Sequence, residues 1–362
     1  MLRKIVLKTH LYLGLAAAVF LVILGLTGSV MAFEGDIDRW LHPGIWYVKT
    51  GPRTLPEQEL IRMAQERFAP VRVRAVHVFR EPDVAQVMQM SDGARVFINP
   101  YDGTILGRRK GPTRTERLLG QIHQLHLRLT PDPRSMQSVA KIGEPVISFA
   151  GLILCVMVPT GLLLWWRTRR ASIKWKGSWF RICFDAHHMI GIYAALFLFI
   201  AAFTGVLIGF DFGEEAIYAI TRSTRPHFAP PPPSDAAAPG ATVITADQAA
   251  EIARRTMPNT TVSDFQLPLN AKGSYSIAMR APEETSEAVH SFITIDQYSS
   301  KVLRFQNFLT DSYGYRAIRF NRSIHTGDVW GLTGHIIVSL SSLLLVAMVI
   351  TGVVIWWKKL AV

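Results

Sequence analysis

Four long apolar runs without a single charged residue dominate the pattern of hydrophobic and polar positions along the chain. Each run has 22 or 23 residues, and an α-helix of that length rises about 33 Å, enough to cross the hydrocarbon core of a bilayer. The runs are Leu11–Phe33, Pro145–Trp166, Met189–Phe210 and Ile336–Trp357. The pattern therefore predicts a membrane α-helical protein with a four-transmembrane-helix bundle. With their flanking residues the four helices are placed at 1–33, 145–166, 187–210 and 335–357.

Between the first and second helices, and again between the third and fourth, the pattern becomes that of a water-soluble α+β unit. In residues 54–109 a helix begins at Thr54-Leu-Pro-Glu57 and alternating strands follow. Residues 243–305 repeat this order, and their helix begins at Thr245-Ala-Asp-Gln. The predicted strands are Arg72–Phe79, Ala85–Met90 and Arg95–Ile98, then Val262–Leu267, Ser274–Arg280 and His290–Ile295. We therefore predict two small α+β modules, the second preceded by an extended Pro-rich linker at 226–239.

The two halves of the chain also share spaced motifs. His10-x3-Gly14-x12-Thr27-Gly28 in the first helix has the spacing of His187-x3-Gly191-x12-Thr204-Gly205 in the third. The second and fourth helices share Thr-Gly-x3-Trp-Trp, starting at Thr160 and Thr351. We interpret the chain as two tandem repeats of the same orientation, related by a pseudo-two-fold axis along the membrane normal. The glycines fit either close packing of helices or room beside a flat ring.

Positive charge is concentrated in three short segments, which predicts the orientation of the helices. The net charge is +12, and residues 1–10, 167–186 and 358–362 hold eleven Lys and Arg but one acid, Asp185. By the positive-inside rule both termini and the 167–186 loop are cytoplasmic in a bacterial inner membrane. Segments 34–144 and 211–334, with both modules, are then periplasmic. This distribution indicates contact with membrane lipid and argues against a nucleic-acid partner.

Several familiar enzyme motifs are absent from the chain. Its two cysteines, Cys155 and Cys183, are placed in a membrane helix and in a cytoplasmic loop. They form no haem-attachment or iron–sulfur spacing. No P-loop, dinucleotide fingerprint or HExxH sequence occurs. No motif therefore names a catalytic residue or a site for a nicotinamide donor.

Seven histidines gather at two levels of the predicted bundle, and they are the candidate chemistry of the chain. The levels lie on the order of 25–30 Å apart along the helices. The first level holds His10, His187 and His188, and the second holds His123, His126, His325 and His335. Opposed imidazoles on neighbouring helices can hold haem iron, and an apolar wall keeps the porphyrin dry. We therefore predict two b-type haems, one in each leaflet.

At the first level the shared register favours His10 and His187 as the two ligands of one haem iron. A single histidine at a membrane edge is more often an interfacial polar residue, and the matched spacing is what argues against that interpretation here. The adjacent His188 points about 100° away from His187 on a helix. It stays a candidate, as the ligand itself or as a partner of a haem propionate.

At the second level the ligands are less well determined. His126 and His325 rank first as haem-iron ligands, because both lie in the segments that approach the membrane after each module. His335 has no symmetric partner, since the matching position in the first half is Glu144. His335 and His123 therefore follow closely behind, and mixed pairs remain open.

The motifs around these histidines resemble the PepSY-associated transmembrane (PepSY-TM) family, and the likeness covers nearly the whole chain. The two soluble modules are similar to PepSY domains in their strand–turn–strand segments. The segments that carry the resemblance are Lys8-Thr-His10-x3-Gly14, Leu125-His126-Leu-Arg-Leu, Ser323-Ile-His325-Thr-Gly327, the Thr-Gly-x3-Trp-Trp ends, Asn99-Pro-Tyr-Asp-Gly-Thr and Ile295-Asp-Gln-Tyr-Ser-Ser.

Members of this family include bacterial inner-membrane reductases of ferric siderophores that carry haem in a four-helix bundle. The resemblance implies an oxidoreductase that passes electrons outward and reduces an Fe(III)-siderophore in the periplasm. The PepSY modules would form or gate the substrate site, and basic residues such as Arg319 and Arg322 would attract the anionic chelate or anchor the interface. The chain has no fused flavoprotein domain, so its electron donor would be a quinol or a separate cytoplasmic flavoprotein.

Two other functions remain open at this stage. The chain fits a haem electron-carrier subunit of another membrane oxidoreductase, for which the iron chelate is not the substrate. It also fits a non-enzymatic PepSY regulator that binds an envelope protease and is only anchored by its helices. Haem in the purified protein would favour the reductase or the electron-carrier subunit, which both need it, over the regulator, which does not.

Overall fold

A computed structural model describes residues 1–169, 171–226, 229–235, 241–282 and 290–360, with the side chains of 359 and 360 left out. Residues 227–228 and 236–239 of the predicted linker, Arg170 of the predicted loop and 361–362 of the predicted tail lie outside the described residues. Eleven α-helices occur in the described part of the chain. They are α1 Leu2–Met31, α2 Glu34–Leu41, α3 Pro43–Trp46, α4 Glu57–Arg67, α5 Arg114–Arg128, α6 Gln137–Thr168, α7 Trp179–Gly209, α8 Asp211–Thr221, α9 Ala246–Thr256, α10 Tyr313–Thr326 and α11 Gly331–Leu360.

Four of these helices are long and apolar enough to cross a membrane. They are α1, α6, α7 and α11, the last within a span of Asp328–Lys358. Large apolar side chains along them face outward, among them Val19, Phe149, Phe203 and Leu340, as expected of surfaces in contact with lipid. The chain is therefore a multi-pass membrane protein. Both α6 and α7 begin eight residues before their predicted starts, because a helix continues into polar sequence once its backbone is hydrogen-bonded.

The chain divides into two compact units, and the first is helical. The helical unit comprises Met1–Glu34, Arg117–Ser223 and Ala317–Val362. Its four long helices form a ring in which α1 and α7 each contact α6 and α11 and lie diagonally opposite one another. Between the helices lies a core of small and branched side chains, which includes Leu21, Leu154, Leu198 and Leu345. This packing gives the bundle a dry interior.

The second unit, called the sheet unit, comprises Gly35–Glu116 and Thr224–Arg316. It contains eight strands in one antiparallel sheet, in the order β4-β3-β2-β1-β5-β6-β7-β8. The strands are β1 Val73–His77, β2 Gln86–Met90, β3 Ala94–Ile98, β4 Ile105–Lys110, β5 Thr261–Gln266, β6 Ser274–Arg280, β7 Ser291–Asp296 and β8 Val302–Gln306. The predicted strands are present.

The two predicted modules share this sheet, so they form one domain rather than two. Strands β1 and β5 pair antiparallel, with Val76 opposite Phe265 and His77 opposite Asp264. Each strand would be an exposed edge in a separate module, and pairing removes both edges. One apolar core runs beneath the joined sheet, from Leu60 in α4 to Ile277 in β6. The tandem duplication itself stays a prediction.

Helices α4 and α9 lie on one face of the sheet and cap each other. The carboxylate of Asp247 in α9 accepts hydrogen bonds from the backbone N–H groups of Glu57 (2.8 Å) and Gln58 (3.3 Å) at the start of α4. The Gln58 side chain in turn accepts from the backbone N–H of Ala246 (2.9 Å) at the start of α9. Helix α9 also has its own capping box from Thr245, as its sequence predicts. The two helices therefore stabilise each other across the join.

Candidate functional site

His10 and His187 face each other across the middle of the helical unit. They lie on the diagonal helices α1 and α7, and we call their position the terminal level because α1 begins and α11 ends at that end of the bundle. Their ring centres are 6.4 Å apart and their ring planes are nearly perpendicular, at 89°. The structure thus brings together the pair that the shared register favours.

The Nδ1 atom of each of these rings is held by a threonine of a neighbouring helix. His10 Nδ1 lies 3.0 Å from Thr160 Oγ1 on α6. His187 Nδ1 lies 3.0 Å from Thr351 Oγ1 on α11 and 3.1 Å from the backbone oxygen of Met348. Within the described residues the Nε2 atoms of both rings have no hydrogen-bond partner. Each imidazole is therefore anchored through one nitrogen and presents the other.

The glycine that follows each threonine makes room for the ring. A Cβ added at Gly161 would lie 3.1 Å from His10 Cε1, and one at Gly352 would lie 3.3 Å from His187 Cε1. Both distances are below the 3.5–4.0 Å at which carbon atoms pack best, by about 0.2 Å or more. The Thr-Gly pairs of α6 and α11 are thus seats for an imidazole from another helix. This role is more specific than the two interpretations of the sequence motif, which were close packing of helices and room beside a flat ring.

The same contacts recur at the opposite end of the bundle, which we call the far level. His126 at the end of α5 places Nδ1 2.8 Å from Thr27 Oγ1. His325 at the end of α10 places Nδ1 3.0 Å from Thr204 Oγ1 and 3.1 Å from the backbone oxygen of Ala201. A Cβ on the glycine after each threonine would again lie close to the imidazole Cε1, at 3.3 Å from Gly28 and 3.0 Å from Gly205. All four Thr-Gly pairs therefore seat one histidine each.

The far-level histidines are partly buried, and their environment shifts their pKa values. Burial, followed by the charges of His325 and His123, lowers the pKa of His126 to about 3. Burial likewise lowers the pKa of His325, and the nearby Arg322 cation acts in the same direction. Both imidazoles are therefore neutral at physiological pH, which is the form that binds metal ions.

The other three candidate histidines make different contacts. His188 Nδ1 lies 2.8 Å from the backbone oxygen of Phe184 in its own helix, and the two rings lie 4.3 Å apart. His123 Nδ1 lies 2.8 Å from a carboxylate oxygen of Glu34, and His335 Nε2 lies 3.1 Å from a carboxylate oxygen of Asp328. The structure therefore does not bring these three residues into the Thr-Gly seats that hold the other four.

The terminal-level pair fits the ligand geometry of a haem iron. A first-row metal ion bonds an imidazole nitrogen at about 2.0 Å, and an imidazole centre lies about 1.2 Å from that nitrogen, so two coaxial ligands place their ring centres about 6.3 Å apart. The distance of 6.4 Å between the His10 and His187 centres matches this value. In the described residues no group of three or more His, Cys, Asp or Glu side chains could hold a metal ion by itself. The 6.4 Å spacing of the two imidazoles itself suits a metal that takes two protein donors.

The apolar core separates the two levels. Along α1, His10 and Thr27 are 17 residues apart, which corresponds to about 25 Å of helix. Ala17 and Leu21 lie between them and are each 1% exposed. A bilayer core is about 30 Å thick, so the two levels suit opposite halves of a membrane.

Sequence reasoning did not find the threonine partners of the histidines. The sequence contains a partial signal for them, because each membrane helix carries a Thr-Gly pair and His10 and His187 share the same spacing to theirs. A hydrogen bond between residues 99 to 164 positions apart, however, has no local pattern. The pairing becomes visible only when the helices are placed around a common axis.

Comparison with known families identifies the chain. Residues 7–359 match the PepSY-associated TM region, which is nearly the full length. No curated protein sequence matches the chain. Because the family match covers both sets of histidines and both soluble segments, the chain belongs to the PepSY-associated TM family.

Proposed function

We propose that the chain is a b-type dihaem membrane reductase that passes electrons outward to periplasmic Fe(III)-siderophores. The observation that carries the proposal is the pair of imidazoles of His10 and His187, whose ring centres lie 6.4 Å apart between the helices and whose Nε2 atoms have no hydrogen-bond partner among the described residues. The repeat of the same Thr-Gly seats at the far level supports a second centre. His10 and His187 would hold a haem at this level, and the haem would supply one-electron redox chemistry there.

The residues of the chain have separate tasks in this proposal. His10 and His187 hold one haem, and His126 and His325 hold the other. The seats formed by the Thr-Gly pairs orient the imidazole planes, and Leu21 and its neighbours keep water out of the interval between the levels. A dry apolar interval retains the haems and excludes competing reactions with solvent.

The direction of transfer and the acceptor rest on charge and on the family resemblance. The positive-inside rule favours a cytoplasmic terminal level and a periplasmic far level. Arg319 and Arg322 lie on α10 with His325, and their positive charge would attract an anionic ferric chelate. Reduction to Fe(II) weakens the binding of iron to hard oxygen ligands, so the metal can leave the siderophore. The donor would be a quinol or a cytoplasmic flavoprotein.

The first test is the visible spectrum of the detergent-purified chain, oxidised and reduced, with haem quantified per chain. We expect two b-type haems per chain. His187→Ala and His126→Ala should each lose one haem, whereas the matched variants His188→Ala and His123→Ala should keep both. Wild-type protein that lacks haem after expression with ample haem supply would refute the proposal and favour a PepSY regulator.

The second test concerns the acceptor. Reduced protein is mixed with a ferric trihydroxamate, and reoxidation of the haem is followed together with capture of Fe(II) by a ferrous chelator. The proposal predicts haem oxidation and stoichiometric Fe(II) release. Haem that stays reduced in the presence of the ferric chelate would assign the chain instead as an electron-carrier subunit of another oxidoreductase.

A further inference from the structure

Each of the four threonines that seat a histidine donates its hydroxyl proton within its own helix. A hydroxyl has one proton, and a backbone carbonyl can only accept, so the short contact between the two oxygens determines the direction of the bond. The hydroxyl oxygen then presents only lone pairs to the imidazole. The Oγ1-to-carbonyl distances are 2.6 Å from Thr27 to Ile23, 2.7 Å from Thr204 to Ile200, 2.7 Å from Thr351 to Ala347 and 2.9 Å from Thr160 to Val156.

Three of the histidines have an independent indication of where their proton lies, because each also has a backbone hydrogen-bond acceptor. For His10 this acceptor is the backbone of Met157. Besides its threonine, His187 Nδ1 is 3.1 Å from the backbone oxygen of Met348. His325 Nδ1 is likewise 3.1 Å from the backbone oxygen of Ala201. Since carbonyl oxygens have no proton to give, Nδ1 must be the donor in both contacts.

We propose that Thr27, Thr160, Thr204 and Thr351 are positioning residues that keep the proton of each histidine on Nδ1. The lone pair then lies on Nε2, the ring nitrogen on the side away from the threonine, where it would be available to a haem iron. This inference rests on the proposed function, and it assigns a role to residues that do not contact haem iron themselves. A donor bond from Nδ1–H also fixes the ring orientation and raises the basicity of Nε2.

The four seats are not equivalent, and the difference makes the inference testable. At the far level His325 has two acceptors, the Thr204 hydroxyl and the Ala201 carbonyl. His126 has the Thr27 hydroxyl. Replacement of Thr204 by valine therefore leaves one acceptor for Nδ1–H, whereas the same change at Thr27 leaves none among the hydrogen bonds of the described residues. The two proposed ligands at this level should respond unequally.

The experiment compares Thr27→Val with Thr27→Ser and Thr204→Val in the full-length haem-loaded protein. Valine keeps the shape of threonine without its acceptor, and serine restores the acceptor. Thr221→Val is the matched control, because Thr221 donates to the Ile217 carbonyl in the same way but holds no histidine. The readouts are transfer of haem to a scavenging globin and the midpoint potential from a spectroelectrochemical titration.

We expect Thr27→Val to weaken haem retention about 10- to 100-fold, the range typical for loss of a partner of a metal-bound histidine. The midpoint potential of that haem should rise, because a less basic imidazole stabilises Fe(III) less. Thr27→Ser and the Thr221→Val control should resemble wild type, and Thr204→Val should fall between. If the Thr27 variant does not fold, Thr160→Val and Thr160→Ser give the comparison at the terminal level, with a smaller loss because the Met157 backbone remains as an acceptor for His10.

The possible failures of the experiment are distinguishable. Haem-loaded wild type with an unaffected Thr27→Val overturns the positioning role and leaves the proposed function intact. Equal damage from the serine and valine variants also overturns it, because side-chain volume rather than the acceptor would then matter. Wild-type protein without haem overturns the proposed function and this inference together.

Discussion

A methyl group added at Gly205 should displace the imidazole of His325 and weaken the far-level centre. The Cβ of alanine at this position would lie 3.0 Å from Cε1, 3.6 Å from Nδ1 and 3.8 Å from Nε2 of His325. Carbon atoms pack best at about 3.5–4.0 Å, so the ring must move by about 0.5 Å or more. That shift equals the tolerance within which a binding constellation must be held, about 0.5 Å.

The imidazole cannot move without cost, because its other side is already held. Nδ1 lies 3.0 Å from the Thr204 hydroxyl and 3.1 Å from the Ala201 carbonyl, and a displaced ring lengthens or bends both bonds. Overpacking of this kind costs about 1–3 kcal/mol. Since 1.4 kcal/mol is a factor of ten in an equilibrium constant, we expect Gly205→Ala to weaken retention of one haem by about five- to 150-fold.

The assay is the haem content of purified Gly205→Ala after challenge with a haem scavenger, with wild type alongside. Gly120→Ala is the control, because a Cβ at Gly120 meets nothing within 4 Å and alanine favours the helix by up to about 1 kcal/mol. Gly161→Ala, at 3.1 Å from His10, should act nearly as strongly at the terminal level. The reasoning fails if Gly205→Ala retains haem as well as Gly120→Ala does.

Three further predictions concern the stability of the protein. Burial raises the pKa of the Glu57 carboxyl to about 7 from 4.5. The folded chain therefore holds the carboxyl proton more tightly than the unfolded chain does. The free energy of unfolding should fall by at most about 3 kcal/mol as the pH rises from 4.5 to 7. Glu57→Gln should flatten that slope in thermal unfolding followed by tryptophan fluorescence, and an unchanged slope would contradict it. Asp38→Ala should lower the free energy of unfolding by about 3–5 kcal/mol in the same assay. The Asp38 carboxylate lies 2.7 Å from the largely buried guanidinium of Arg109, which loses this partner in the variant. A loss below about 1 kcal/mol would count against this prediction. Gly143→Ala should reduce the yield of folded protein sharply, because its Cβ would lie 1.9 Å from the backbone oxygen of Arg128, and a normal yield on size exclusion would refute that contact.

Local pattern was sufficient for most elements of the fold. The four membrane helices follow from runs of about 22 uncharged residues, and the strands follow from alternation over five to seven positions. The helix start at Thr245 follows from its capping box with Gln248. The proximity of His10 and His187 could also be predicted from the sequence, because equal spacing in two helices implies equal depth in a bundle.

The contacts that complete the fold and the site depend on the tertiary arrangement. Asp247 caps the start of α4, which is 190 residues away along the chain, and no local signal links the two. The pairing of β1 with β5 was likewise not predictable, because the sequence does not distinguish the strand edges that could pair. At the far level the motif counting left His123 and His335 as alternatives, and their carboxylate partners, Glu34 and Asp328, became visible only in three dimensions.

The join between β1 and β5 has a consequence for how the protein is made. Ala75 in β1 pairs with Gln266 in β5. The edge of β1 therefore stays unpaired until β5, about 190 residues downstream, has been synthesised. At about 5–20 residues per second, that partner emerges roughly 10–40 s later, after two further membrane helices have been inserted. During this interval an unpaired strand edge is exposed to other chains. Chains that stop before β5 should therefore aggregate through β1, and a folding helper that shields this edge would raise the yield.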